Sequence, residues 1–255
     1  MSIFTPIFLL YPIAEIEVLA RKETFVFIGF LLFLNISNFN YSSNLPLYYV
    51  FFVLPIICLI WEPVVFFFPF IASVLVIRLR HNQTTTLLSK IIICFIPALI
   101  VSMIIAANPI TIEDHRILTN SLKENFGENC YMACGMLRSR SSIISQFVQN
   151  YESVTFDGLI RYPLIILIGF APIFLLSFNS KLKAEVLFFK HFKNLLHPIL
   201  LLLTPVLFLF AMGGDWGRWV NISYTFTALF YFYLLQNNLI KINLRKMTKK
   251  ISFIQ

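Results

Sequence analysis

LPLYYVFFVLPIICLIWEPVVFFFPFIASVLVI, residues 45–77, is the stretch on which the fold turns. It is almost uninterrupted hydrocarbon, broken only by Trp61-Glu62-Pro63. As one straight helix it would be about 50 Å long, against a bilayer core of about 30 Å. Pro63 removes a helix hydrogen bond, and Glu62 resists deep burial. The stretch therefore reads as a helix broken at 61–63, either a hairpin of two short spans or one kinked, partly re-entrant span. The hairpin is favoured because it gathers the charges of the apolar runs on one side.

On either side the pattern repeats. Apolar runs cover residues 24–36, 91–107, 163–177, 195–211 and 220–235. Residues 3–20 are apolar until Pro12 and then carry Glu15 and Glu17, so that segment either spans or lies in the interface. The chain is 58% hydrophobic and 13% charged, roughly half the charge of a soluble domain. The expectation is an all-α integral membrane protein, a bundle of seven or eight transmembrane helices forming a single polytopic domain over residues 1–255. The first apolar run lacks a basic leader and a small-residue cleavage site, so no cleavable signal is expected.

Charge placement orients the bundle. The loops at 78–90 and 178–194 and the tail from 237 hold twelve Lys or Arg and one acid, Glu185. The long loop, about 108–162, holds five basic and six acidic residues. Short basic loops stay in the cytoplasm, so the C-terminus is expected inside, with the long loop and the turn at 215–219 outside. The same distribution argues against nucleic acid as a partner, because the basic residues mark topology and form no phosphate-binding face. Within the long loop, Ile117, Leu118, Leu122 and Phe126 mark one amphipathic helix. Ile143, Ile144, Phe147, Val148 and Tyr151 mark another.

Cys58 and Cys94 sit inside apolar runs and read as packing residues. Cys130 and Cys134, spaced C-x3-C, can pair in an oxidising compartment. A metal there would need further ligands, and only His115 offers itself, so a disulfide or two free thiols is the better reading and no metal is expected.

The stretch Met212-Gly213-Gly214-Asp215-Trp216-Gly217-Arg218-Trp219 carries the densest chemistry. Asp215 and Arg218 stand three apart before the last apolar run. As structure, Asp215 is an N-cap and the pair neutralises itself. As function, Arg218 binds a phosphate or pyrophosphate while Asp215 orients it or acts as base. Trp216 and Trp219 suit an interfacial belt. Arg21-Lys22-Glu23 alone reads as a charged membrane boundary. Glu62 needs an Arg, a Lys or water, and Arg21 and Arg218 are the expected partners. His115, beside Glu113 and Asp114, reads first as a solvated loop start. Soluble-enzyme nucleophile, ATP-binding and zinc-hydrolase motifs are absent.

The order Glu17-Val18-Leu19-Ala20-Arg21-Lys22-Glu23, then Ile60-Trp61-Glu62 before Pro63, then Asp215-Trp216-Gly217-Arg218-Trp219 resembles the O-antigen (Wzy-type) polymerase-like membrane proteins of bacterial surface-polysaccharide loci. The resemblance implies a multi-pass protein of the bacterial inner membrane. Its substrate would be a polyprenyl-pyrophosphate-linked glycan, transferred on the non-cytoplasmic side. On that reading Asp215, Arg218 and Glu62 are catalytic; Arg21, Lys22, Trp216, Trp219 and His115 contact substrate; and no cofactor is needed. Two alternatives stay open: a transporter or flippase for a lipid-linked or amphipathic anion, and a non-catalytic membrane subunit, whole or truncated.

Overall fold

The computed structural model describes residues 22–38, 44–79, 86–108, 110–130, 134, 147–148, 150–152, 155–183, 192–212 and 216–242. Residues 3–20, Arg21, Asp215, most of the stripe at 143–151 and the tail beyond 242 lie outside the described residues.

The break expected at 61–63 is present. Helix α1 (Glu23–Ile36) is followed by α2 (Leu45–Ile60). Trp61 then leaves helical geometry at φ −153 and ψ 97. Pro63 fixes the first turn of a 3-10 helix, Glu62–Phe67, which runs into α3 (Phe68–Leu79). Helices α4 (Thr86–Ala107) and α5 (Ile112–Phe126) come next. The amphipathic helix read at 117–126 is α5, started by a capping box between Thr111 and Asp114 and stopped by Gly127 at φ 67.

Three features depart from the sequence reading. Helix α6 (Phe156–Phe178) starts well before Pro163, where the apolar run begins. Proline suits a first helical turn, but here the helix runs through it and gives up one main-chain bond. The apolar run at 195–211 is two helices, α7 (Leu196–Leu203) and α8 (Val206–Met212). Pro205 has no amide to donate, and the Thr204 hydroxyl turns back to the Leu201 carbonyl at 2.7 Å. The described residues are mostly helical, as the all-α expectation has it, with one small ribbon that the sequence reading does not include. Strand β1 (Ser180–Leu182) pairs antiparallel with β2 (Ile240–Ile242), which follows α9 (Trp216–Gln236). Alternation explains this ribbon: Ser180 and Ile240 turn inward while Lys181 and Lys241 face out.

Contacts at the two ends fix the helix directions. At one end Glu23 meets Arg218 and Trp61 stacks on Trp219. At the other, the Tyr233 hydroxyl donates to the Ser37 carbonyl at 3.0 Å, and Ser180 bonds Tyr231 at 2.9 Å. Helices α1 and α9 therefore run the same way, and α2 ends where they begin. Tyr162 against Trp216, together with the β-ribbon, sets α6 parallel to α9. The first group of contacts defines a tryptophan end and the second a ribbon end.

Phe226 on α9 is the hub of the core, stacked on Phe30 at 4.5 Å and on Phe67 at 4.4 Å. Such ring pairs add to the area they bury. Gly29 lets α1 and α2 approach closely, since a Cβ there would lie 2.5 Å from the Ile57 side chain. Its carbonyl also accepts the Tyr49 hydroxyl at 2.8 Å.

Polarity is arranged from the inside outward. Asn221, Ser223, Thr225 and Thr227 of α9 are buried, while Phe25, Leu59, Met103, Leu167 and Leu207 are exposed. The buried hydroxyls return to carbonyls one turn back, Ser223 to Trp219 and Thr227 to Ser223. They are satisfied within their own helix and build no polar cavity. Two helical stretches, Leu88–Ala107 and Ile160–Phe178, are long and apolar enough to cross a membrane. Only 22% of each is buried, whereas the core helix of a soluble protein is mostly buried. By helix length alone, then, two of the expected seven or eight spans stand among the described residues. Helices α1 and α2 are apolar but shorter.

Candidate functional site at the tryptophan end

Three stretches far apart in the chain supply the groups at this end. The first turn of α1 brings Glu23, buried at 6% relative exposure. The start of α9 brings Arg218 and Trp219, and the break after α2 brings Trp61 and Glu62. Arg218 and Glu23 form an ion pair, with side chains 19% and 8% exposed. The arginine is thus the more exposed of the two partners. Its guanidinium carbon also lies 5.3 Å from the Trp219 ring centre, within cation–π range. Trp61, 1% exposed, stacks on Trp219 at 6.0 Å and leans on Phe67 at 6.2 Å. One carboxylate and one indole therefore hold the guanidinium, and Trp61 backs that indole.

The structure adds a partner that the sequence reading does not name. Arg218 finds Glu23, where the sequence alone predicts a charged membrane boundary. A buried charge demands an opposite charge, but the sequence does not say which of several acids will supply it. Glu62 is half-buried and follows directly on the Trp61 that packs against Trp219, so it lies at the same end. Lys22 holds the N-cap position of α1 and is exposed beside Glu23. Arg21 and Asp215 lie outside the described residues.

Trp216 does a second job. Its indole N–H donates to the Phe210 carbonyl at 2.8 Å, and Tyr162 meets its ring edge-on at 5.1 Å. Asn150, buried at 8%, donates to the Phe210 and Ala211 carbonyls at 3.1 and 2.9 Å. The last carbonyls of a helix have no partners within it, and here two side chains take those of α8. Asn150 had no sequence signal beyond its place near the apolar stripe at 143–151. Between that stripe and the end of α8 opens a cleft of about 600 Å³, walled by Phe147, Val148, Tyr151, Phe210 and Trp216, with Asn150 and Glu152 also in its lining. Its walls are almost wholly apolar, and it opens two residues from Arg218.

His115 stands apart from these groups. It lies in the first turns of α5, with its Nε2 2.9 Å from the Cys134 carbonyl. Cys130 and Cys134 are bridged, as the C-x3-C spacing allowed. The solvated loop start expected for His115 is replaced by a half-buried contact with that bridge.

Searched against protein-family models, characterised proteins and solved structures, the chain matches none.

Proposed function

We propose that the chain is a multi-pass membrane protein that binds a polyprenyl-pyrophosphate-linked glycan at its tryptophan end and transfers or polymerises it there. The observation carrying this reading is the convergence of Glu23, Arg218, Trp61 and Trp219 from three distant segments beside an apolar cleft. A pyrophosphate needs cations, a sugar packs on indole faces, and a polyprenyl tail needs an apolar groove.

In this reading Arg218, with Arg21 and Lys22 just before its partner Glu23 in sequence, holds the pyrophosphate. Glu23 keeps the guanidinium aimed. Glu62 or Asp215 accepts the proton of the attacking hydroxyl. Trp216 and Trp219 wall the site, and His115 has no part in it. The helices that alternate between the two ends cross the membrane seven times, and residues 3–20 supply an eighth crossing if they span. Lys181 and Lys241, where the basic loop and the tail begin, lie at the ribbon end, and by the positive-inside bias of those segments that end is cytoplasmic in this reading, in a bacterial inner membrane.

Arg218→Lys keeps the charge and loses the planar fork. In vesicles loaded with lipid-linked oligosaccharide it should abolish elongation while leaving protein abundance unchanged. Unaltered product length would remove Arg218 from the mechanism. Translocation of the glycan without elongation would favour the flippase reading.

The mutual neutralisation of Glu23 and Arg218 supports a second reading, in which the pair only locks α1 to α9. Exchanging the two, Glu23→Arg with Arg218→Glu, separates the readings. A lock regains both abundance and activity after the swap, whereas a substrate-binding arginine regains abundance alone.

A further inference from the structure

The cluster at the start of α5 lies outside the proposed site and carries chemistry of its own. His115 Nε2 lies 3.7 Å from the Cys130 sulfur and 3.8 Å from that of Cys134. All three side chains are half-buried, so small solutes reach them. The Thr119 hydroxyl sits 3.9 Å from the Cys134 sulfur and is bonded to the His115 carbonyl. In a tetrahedral zinc site with Zn–S of about 2.3 Å and Zn–N of about 2.0 Å, nitrogen and sulfur ligands stand about 3.6 Å apart. The imidazole is thus already at ligand distance from both sulfurs.

We propose that, once the Cys130–Cys134 bridge is reduced, the two thiolates and His115 Nε2 bind one thiophilic divalent cation of the zinc class. Reduction takes two electrons and two protons, supplied by an external dithiol that itself becomes a disulfide, and yields two thiols. The cation then displaces both thiol protons as the two Zn–S bonds form. His115 gives up its contact with the Cys134 carbonyl and carries its proton on Nδ1, leaving Nε2 to bind the metal. Three protein ligands leave the fourth position to water. The bridge and the metal are mutually exclusive, so this corner of the fold is closed covalently under oxidation and by coordination under reduction. Helix α5 buries none of its residues, so changes here leave the bundle intact.

The test uses the full chain in detergent, reduced with a phosphine and titrated with cadmium as an optical probe. One equivalent should raise the cadmium–thiolate charge-transfer absorption, and zinc should displace it. Cys130→Ser and Cys134→Ser should each abolish that absorption, because Cys58 and Cys94 are buried. His115→Ala should weaken binding by at least the roughly 10–100-fold that loss of an outer-shell partner costs. Unchanged affinity in His115→Ala overturns the proposal, as does a signal that survives both cysteine variants. So does a bridge that resists reduction in the folded protein, or a reduced wild type that takes up no cadmium.

Discussion

Glu23 and Arg218 come from opposite ends of the described chain, and their pairing is the clearest test of what holds the tryptophan end together. Removing one partner of a buried pair strands the other charge, at a cost of about 3–5 kcal/mol, whereas removing both together is often close to neutral. Glu23→Gln is expected to lower stability by about 3 kcal/mol, seen as an earlier unfolding midpoint in detergent. The double variant Glu23→Gln with Arg218→Met should recover most of that loss. A single variant as stable as the wild type would show that the pair bears no load. At this scale the sequence was only half legible. That Arg218 needed a carboxylate followed from its place beside an apolar run. Which carboxylate it takes depends on how α1 and α9 pack, and no local pattern encodes that.

Among the elements, those punctuated by chemistry were readable and those decided by packing were not. Pro63 and Glu62 announce the break after α2, because a missing amide and a carboxylate both interrupt an apolar helix. Pro205 carries the same signal for the joint between α7 and α8, inside a run whose hydropathy alone predicts one span. The β-ribbon was illegible: each strand is three residues long, too short for alternation to stand out, and its partner lies far along the chain. Helix α5 rests on its capping box rather than on burial. Thr111→Ala removes the hydroxyl that accepts the Asp114 amide at 3.1 Å, at a cost of about 1 kcal/mol. Because α5 buries none of its residues, that cost stays local. Amide exchange over the first turn of α5 should quicken about fivefold, the factor corresponding to about 1 kcal/mol, with no change in the bundle. Quickened exchange throughout the chain would mean that α5 is coupled to the core.

At the scale of the whole molecule, the two ends differ in kind: one gathers indoles, an acid and an arginine, the other lysines. With the orientation proposed above, a cysteine placed at Ile117 or Lys22 should react with an impermeant thiol reagent in intact cells. One at Lys181 or Lys241 should react only after permeabilisation. The opposite pattern would invert the bundle and move the candidate site to the cytoplasm. The ribbon that closes the lysine end has a cost of its own. Its register sets Lys181 directly across from Lys241, both exposed, and like charges facing each other across a ladder repel. Screening by dissolved ions, or phosphate headgroups settling between the two ammonium groups, relieves that strain. The two-stranded clasp therefore tightens as ionic strength rises from very dilute buffer, while the enclosed acid–arginine couple at the far mouth scarcely notices. One molecule then carries a salt-hardened joint and a salt-blind one, at opposite faces.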